Sequence, residues 1–161
     1  MIIICDASPL IFLGALGKLE LLPQLYEQVV TTPTVFKEIT DVGEDRQSAL
    51  DVKNLSWLRV LEPQNKVLQT ALGGELDQGE SSAIALSFDF EASLLLIDER
   101  RGRSVARRLG KDVIGTLGLL ILAKNKGLLP QIKSSILHLI NVYGFRISPS
   151  LLEKVLKQVG E

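Results

Sequence analysis

The chain has 161 residues, of which 46% are hydrophobic, and a net charge of −1. That balance describes an ordered chain of about one domain and excludes a strongly basic, histone-like nucleic-acid binder, though not a local basic patch. One cysteine, Cys5, excludes an internal disulfide and fits a reducing compartment.

Residues 2–6 open the chain with Ile2, Ile3, Ile4, Cys5 and Asp6, a short strand buried on both faces that ends in an acid. Ser8 and Pro9 start a helix through Leu10, Leu13 and Leu16, with proline at its first position and an end near Gly17. A short helix is expected around 19–25. Residues 28–31 form a β-branched second strand. Thr32 and Pro33 open a helix that places Glu38 beside Val35 and Ile39 on its buried edge. Residues 41–54 are polar and read as loop or surface helix. A short strand is expected at 57–61, with Trp57 as packing. Pro63, Gly73 and Gly74 make 62–75 read as a connection.

From Leu76 to Phe88 the period is helical. Asp77 reads as a cap with Glu80 as its capping-box partner, yet Glu80 shares a face with Ala83 and Ile84, which turns it inward. Leu94 to Ile97 form another strand, and it too runs into acid, Asp98 and Glu99. A helix follows over 102–109, then a strand at 112–114, and Thr116 caps the next helix. Ile132, Ile136, Leu139 and Ile140 form one later stripe, with His138 packed beside them. Leu151, Leu152, Val155, Leu156 and Val159 form another, behind a capping-box pattern at Ser150 and Glu153. Alternating strands and helices predict right-handed crossovers and a parallel sheet covered on both faces.

Ligands of such sheets bind beyond the carboxyl ends of the strands. Asp6 and Asp98 stand at two such ends, and carboxylates there need a partner, a hydrogen bond or a metal. Glu38 and Glu80 stand near helix starts and join them as candidates, with Glu99 as an additional acid. Ser8 lines the same site or caps its own helix. Arg100, Arg101, Arg103, Arg107, Arg108 and Lys111 form the concentrated basic stretch, either a solvated helix face or a rim that holds phosphates beside the acids. Cys5 reads as an inert buried thiol. No glycine-rich phosphate loop, zinc-type cluster or Ser-His-Asp arrangement is present. No leader-like n-region precedes the first strand, and the longest apolar stretch, 113–123, is too short to span a bilayer. A soluble cytoplasmic protein is expected.

At this point the chain resembles PIN-domain proteins. The likeness is carried by Ile3-Ile4-Cys5-Asp6-Ala7-Ser8-Pro9-Leu10-Ile11, by Val35-Phe36-Lys37-Glu38-Ile39, and by Gly79-Glu80-Ser81-Ser82-Ala83-Ile84-Ala85-Leu86. It continues through Leu95-Leu96-Ile97-Asp98-Glu99 and Gly115-Thr116-Leu117-Gly118-Leu119-Leu120. It is similar above all to prokaryotic PIN proteins akin to VapC-type toxin nucleases. The resemblance implies a three-layer α/β/α fold with a central parallel sheet of four to five strands. The whole chain would be a single PIN-like domain, its core at about 1–127 and a helical extension at 128–161.

The resemblance also implies a ribonuclease that uses Mg²⁺ or Mn²⁺, with Asp6, Glu38, Glu80 and Asp98 as the catalytic acids. Asp6, Asp98 and Glu80 would bind metal; Ser8, Arg100, Arg103, Arg107 and Thr116 would bind substrate. RNA, a cognate antitoxin and a second copy of the chain are the implied partners. The mid-chain acid is Glu80 where the toxins carry Asp, and Arg103 stands near the place where they carry a later acid. Two rivals are a non-catalytic RNA-binding or protein-interaction module on a degenerate PIN site, and a phosphatase with a nucleophilic aspartate. The latter wants a second Asp two residues after the first, where this chain has Ser8.

Overall fold

The computed structural model describes residues 1–42 and 51–161. These form two compact units, 1–115 and 116–161. Residues 43–50 of the polar stretch expected to be loop or surface helix lie outside the described residues.

In the first unit five strands form one sheet: β1 (Ile2–Cys5), β2 (Gln28–Thr31), β3 (Leu58–Val60), β4 (Ser93–Leu96) and β5 (Asp112–Ile114). Their order is β3-β2-β1-β4-β5, and every pairing is parallel. The apolar runs have become the central strands, because only strands covered on both faces keep Ile3, Ile4, Leu95 and Leu96 fully buried. Helices flank this sheet: α1 (Ala7–Ala15), α2 (Leu21–Leu25), α3 (Pro33–Val42), α4 (Lys66–Leu72), α5 (Gln78–Leu86) and α6 (Arg100–Arg108). The result is the three-layer α/β/α fold expected from sequence.

The order reverses at β1. β2 leaves on one side and β4 on the other, so the carboxyl ends of β1 and β4 flank a topological switch point. Cys5 is in register with Leu96, and the Asp6 N–H donates to the Leu96 carbonyl at 3.0 Å. Asp6 and Asp98 therefore leave the same edge of the sheet.

The helix α5 is buried from Gly79 to Leu86, on more than the one face that its period predicted. Small residues at Gly79, Ser81, Ser82, Ala83 and Ala85 let neighbours close on it. The hydroxyls of Ser81 and Ser82 donate to the carbonyls of Asp77 and Gly79, both at 2.7 Å, so burial leaves them satisfied. Ile84 of this helix shares one buried cluster with Ile4, Val30, Leu95, Ile97 and Val105.

Several expectations are corrected. Residues 62–75 are not only connection: Lys66–Leu72 is helical, capped by Asn65, whose Oδ1 accepts from the Leu68 N–H at 2.9 Å. Gly73 and Gly74 follow that helix rather than interrupt it. The first helix begins at Ala7, two residues before Pro9, and Asp6 occupies its cap position without a side-chain cap bond. Trp57 is half-buried, and its indole N–H donates to Glu20 Oε1 at 3.0 Å.

The second unit carries α7 (Thr116–Asn125), α8 (Lys133–Tyr143) and α9 (Pro149–Gln158). Thr116 is the first residue of α7. The α9 cap is Ser148, whose Oγ accepts from the Leu151 N–H at 3.2 Å. The capping box expected at Ser150 and Glu153 is overturned because Pro149 fixes the first helical position. Val155 is buried, whereas Leu151 is 45% exposed. His138 is exposed and meets the Tyr143 ring edge-to-face at 5.7 Å, not packed in a core. Glu161 closes this unit: its carboxylate accepts from the Ile132 and Lys133 N–H groups at the start of α8 and from Lys124 Nζ at 2.7 Å.

Candidate active site

Asp6 emerges from β1 with 4% of its surface exposed. Burial pushes its carboxyl up to about pKa 8. A hydrogen bond from the Ala7 N–H opposes this, and the charges of Asp77, Glu80 and Glu38 reinforce it.

Two capping interactions bring those acids to Asp6. Thr32 accepts the Val35 N–H at 3.1 Å at the start of α3 and shares a 2.7 Å hydrogen bond with the Ser82 hydroxyl of α5. This buried Thr32–Ser82 link ties the start of α3 to α5, and Glu38 reaches across. A methyl group built on Gly79 would stand 2.6 Å from Glu38 Oε2 and 3.5 Å from both Asp6 Oδ1 and Asp77 Oδ1. Gly79 is therefore the floor on which three carboxylates meet. Glu38 is an exposed residue, not part of a buried edge as its period suggested, but its carboxyl is raised by burial and then by Asp77.

At the start of α5, Asp77 Oδ1 accepts the Glu80 N–H at 2.8 Å. Glu80 is itself buried, and its carboxyl is pushed up to about pKa 7. Burial is the main cause and Asp77 the next; a hydrogen bond from the Asp77 backbone N–H opposes them, and Glu99 and Glu38 add to the rise. The capping and inward readings of Glu80 are thus both true. Its Oε1 would lie 3.2 Å from a methyl group on Gly102, in the first turn of α6.

Asp98 is half-buried just after β4, on the same edge of the sheet as Asp6. A methyl group on Gly115 would lie 3.0 Å from Asp98 Oδ1 and 2.7 Å from Arg103 Nη1. The structure thus gathers Asp6, Glu38, Asp77 and Glu80, with Glu99 felt by Glu80, and sets Asp98 beside Arg103. Asp77 is the acid that the sequence pattern did not single out. Its signal is present three residues before Glu80, but the capping role absorbs it. Arg100 and Arg107 are exposed on α6, Arg103 is half-buried, and Ser8 is half-buried in the first turn of α1. Thr116 is fully buried in the second unit. Cys5 is fully buried, and burial followed by the Asp6 charge drives its thiol far up, so it is inert.

Among the described residues no lysine or arginine forms an ion pair with Asp6, Glu38 or Glu80. Nor do three acidic side chains there already form a metal-ligating group. The donor chemistry fits a hard divalent cation nonetheless: carboxylate oxygens only, crowded, and partly buried without a countercharge. Beside them a groove of about 640 Å³ runs along Pro33, Thr34, Lys37, Glu38, Asp77 and Gly79.

The family model DUF3368, described as a PIN domain, matches residues 2–161. The chain belongs to the PIN-domain family. The match spans both compact units. PIN domains are in general nucleases, typically with divalent metals, so a nucleic acid is the substrate class that the family implies. No curated protein matches the chain. Among the described residues no helix is long and apolar enough to cross a membrane.

Proposed function

We propose that this PIN domain is a Mg²⁺- or Mn²⁺-dependent ribonuclease that hydrolyses RNA phosphodiester bonds. One observation supports the reading: Asp6, Glu38 and Asp77 converge over Gly79, beside a Glu80 raised by burial and then by Asp77, Glu99 and Glu38, and among the described residues no lysine or arginine pairs with Asp6, Glu38 or Glu80. Carboxylates in that state need a cation to be ionised together at neutral pH.

Asp6 and Glu80 would hold the metal, and Asp77 would complete the acidic ring. When bound, the ion supplies charge neutralisation at the phosphate and Lewis acidity toward water. Glu38, which lines the neighbouring groove, would take the proton of the attacking water. Water adds to phosphorus, the ester P–O bond breaks, and the departing oxygen is protonated. Asp98 and Arg103, together over Gly115, would present the guanidinium to the substrate. Ser8 would line the site, and Arg100 and Arg107 would hold flanking phosphates. Glu99 tunes Glu80.

The finer parts of the reading rest on the resemblance: a cytoplasmic toxin, a cognate antitoxin, a homodimer and a single functional domain over 1–161. A neighbouring small antitoxin-like gene would support the toxin role.

The test is cleavage of a panel of single-stranded and structured RNAs with Mn²⁺, Mg²⁺ or EDTA, beside Asp6→Asn. Metal-dependent cutting lost in the variant supports the reading. RNA retention without cutting under any metal overturns it and favours the non-catalytic module.

A further inference from the structure

Thr31 ends β2 and Thr32 follows it, and both are fully buried. The Thr31 hydroxyl donates to the Cys5 carbonyl at 2.7 Å, directly ahead of Asp6. Thr32 Oγ1 accepts the Val35 N–H and so caps α3, the helix that carries Glu38. Two adjacent hydroxyls thus reach the elements that supply Asp6 and Glu38.

The third element, α5, is reached through Ser82. A hydroxyl has one proton to donate, and that of Ser82 goes to the Gly79 carbonyl at 2.7 Å. The 2.7 Å contact between Thr32 and Ser82 is therefore a bond that Thr32 donates. The chain of bonds runs one way, from the Val35 N–H through Thr32 and Ser82 to the Gly79 carbonyl. It ends on the residue over which Asp6, Glu38 and Asp77 meet. Ser82 is fully buried inside α5, where alanine is the better helix former. In a strand, valine would match the shape of Thr31 without its hydroxyl. What serine and threonine add at these places is the bonds.

We propose that Thr31, Thr32 and Ser82 are positioning residues for the divalent cation, holding the strand end before Asp6, the start of α3 and the start of α5 at the spacing that one ion bridges. Asp6, Glu38 and Asp77 come from three different elements, and their like charges oppose that spacing. Hydroxyl bonds made in the folded chain before an ion arrives keep the acids in place, as supporting hydrogen bonds around metal ligands do. None of the three hydroxyls would touch the ion. This inference deepens the ribonuclease reading and rests on it for the identity of the ion.

The experiment is calorimetric titration of the full chain with Mn²⁺ and with Mg²⁺, at a temperature where the protein is folded, with thermal melts in EDTA beside it. The variants are Thr31→Val, Thr31→Ser and Ser82→Ala. Affinity for Mn²⁺ should fall about ten-fold in Thr31→Val and in Ser82→Ala, the lower end of the cost of removing support from metal ligands. Thr31→Ser, which keeps the hydroxyl, should bind like the wild type. A purely structural role would lower the melting temperature in EDTA and leave the affinity of the folded chain unmoved. Ser82→Ala leaves the Thr32 cap of α3 in place and carries the test alone if Thr31→Val does not fold. Unchanged affinity in folded Thr31→Val or in Ser82→Ala, or an equal loss in Thr31→Ser and Thr31→Val, would overturn the inference and leave the ribonuclease reading standing. A wild-type chain that takes up neither Mn²⁺ nor Mg²⁺ would overturn both.

Discussion

Asp77 and Glu80 face each other at the start of α5: Oδ1 of the first accepts the N–H of the second at 2.8 Å, while its charge helps to hold the second carboxyl near pKa 7. One side chain thus stabilises a helix end and destabilises an ionised neighbour. Asp77→Asn keeps an acceptor for the cap and removes the charge. It should leave the metal-free melting temperature unchanged or higher and shrink the rise produced by saturating Mn²⁺. Asp77→Ala should also lose the cap, about 1 kcal/mol. Thermal melts with Mn²⁺ and with EDTA separate the two effects; equal behaviour of the variants would refute the double role.

The pH dependence has a definite sign. Asp6 rises from 3.8 to about 8 and Glu80 from 4.5 to about 7 on folding. The folded state then binds more protons than the unfolded one between those limits, so stability falls as pH rises from about 4 to about 8. Metal-free protein should melt lower at pH 8.5 than at pH 5 as far as these two acids are concerned. Saturating Mn²⁺ should flatten or reverse the slope, because a ligand that prefers ionised carboxylates gains affinity as protons leave. A metal-free melting temperature that climbs across this range would contradict the assignment.

Gly79→Ala drives a methyl group to within 2.6 Å of Glu38 Oε2, the far end of a flexible side chain. We expect the carboxylate to swing away and the fold to survive. Cleavage should fall at least ten-fold with little change in melting temperature. Gly102→Ala meets Ile97 Cγ2 at 3.1 Å and Glu80 Oε1 at 3.2 Å, so it should perturb Glu80 with some loss of stability. Unchanged cleavage in both variants would remove these acids from the chemistry.

Arg100 and Arg107 are exposed, so truncating them should leave the fold intact. For each phosphate deprived of its guanidinium, the slope of log affinity against log salt should become shallower by about 0.7–1 for RNA. Binding titrations between low and moderate salt would read this directly; an unchanged slope would return α6 to the solvated-face reading.

Glu161→Gln tests the clasp in the second unit. Burial opposes ionisation there, but hydrogen bonds from Lys124, Ile132 and Lys133 prevail and hold the carboxyl below its usual range. A group of lowered pKa stabilises above its unfolded value and loses that contribution as pH falls through the folded one. The variant should cost about 1 kcal/mol at pH 7, and the cost should fade as pH drops through and below the usual carboxylate range. A cost independent of pH would assign the effect to packing.

Much of this fold is legible in the sequence because β1 and β4 are buried on both faces, and such strands are nearly pure Ile and Leu. The acids at their ends are legible for the same reason, since a charge after such a run must leave the sheet at its carboxyl edge. Helix α4 is hidden because Pro63 and the Gly73–Gly74 pair bracket a run whose cap, Asn65, is a weak signal alone. Asp77 is hidden for a different reason: a capping acid and a site acid share one residue type, and local pattern cannot show that α3 delivers Glu38 to the same spot. That approach depends on the Thr32–Ser82 hydrogen bond, between residues 50 apart in the chain. Nor does helical period reveal how Glu38 can be an exposed residue with a half-sheltered carboxyl.

The glycines under the acids bear a consequence of their own. Gly79, Gly102 and Gly115 all have ordinary backbone angles, so no turn demands them. At helical positions 79 and 102, alanine would be preferred by up to about 1 kcal/mol on propensity alone. The chain forgoes that preference to leave space for carboxylate oxygens. Abandoning the chemistry would make alanine at 79 an unopposed improvement, so glycine there works as a running record of use. A sequence of this family that still carries an acid at 38 but has gained a methyl group at 79 would be one in which the acid has outlived its purpose.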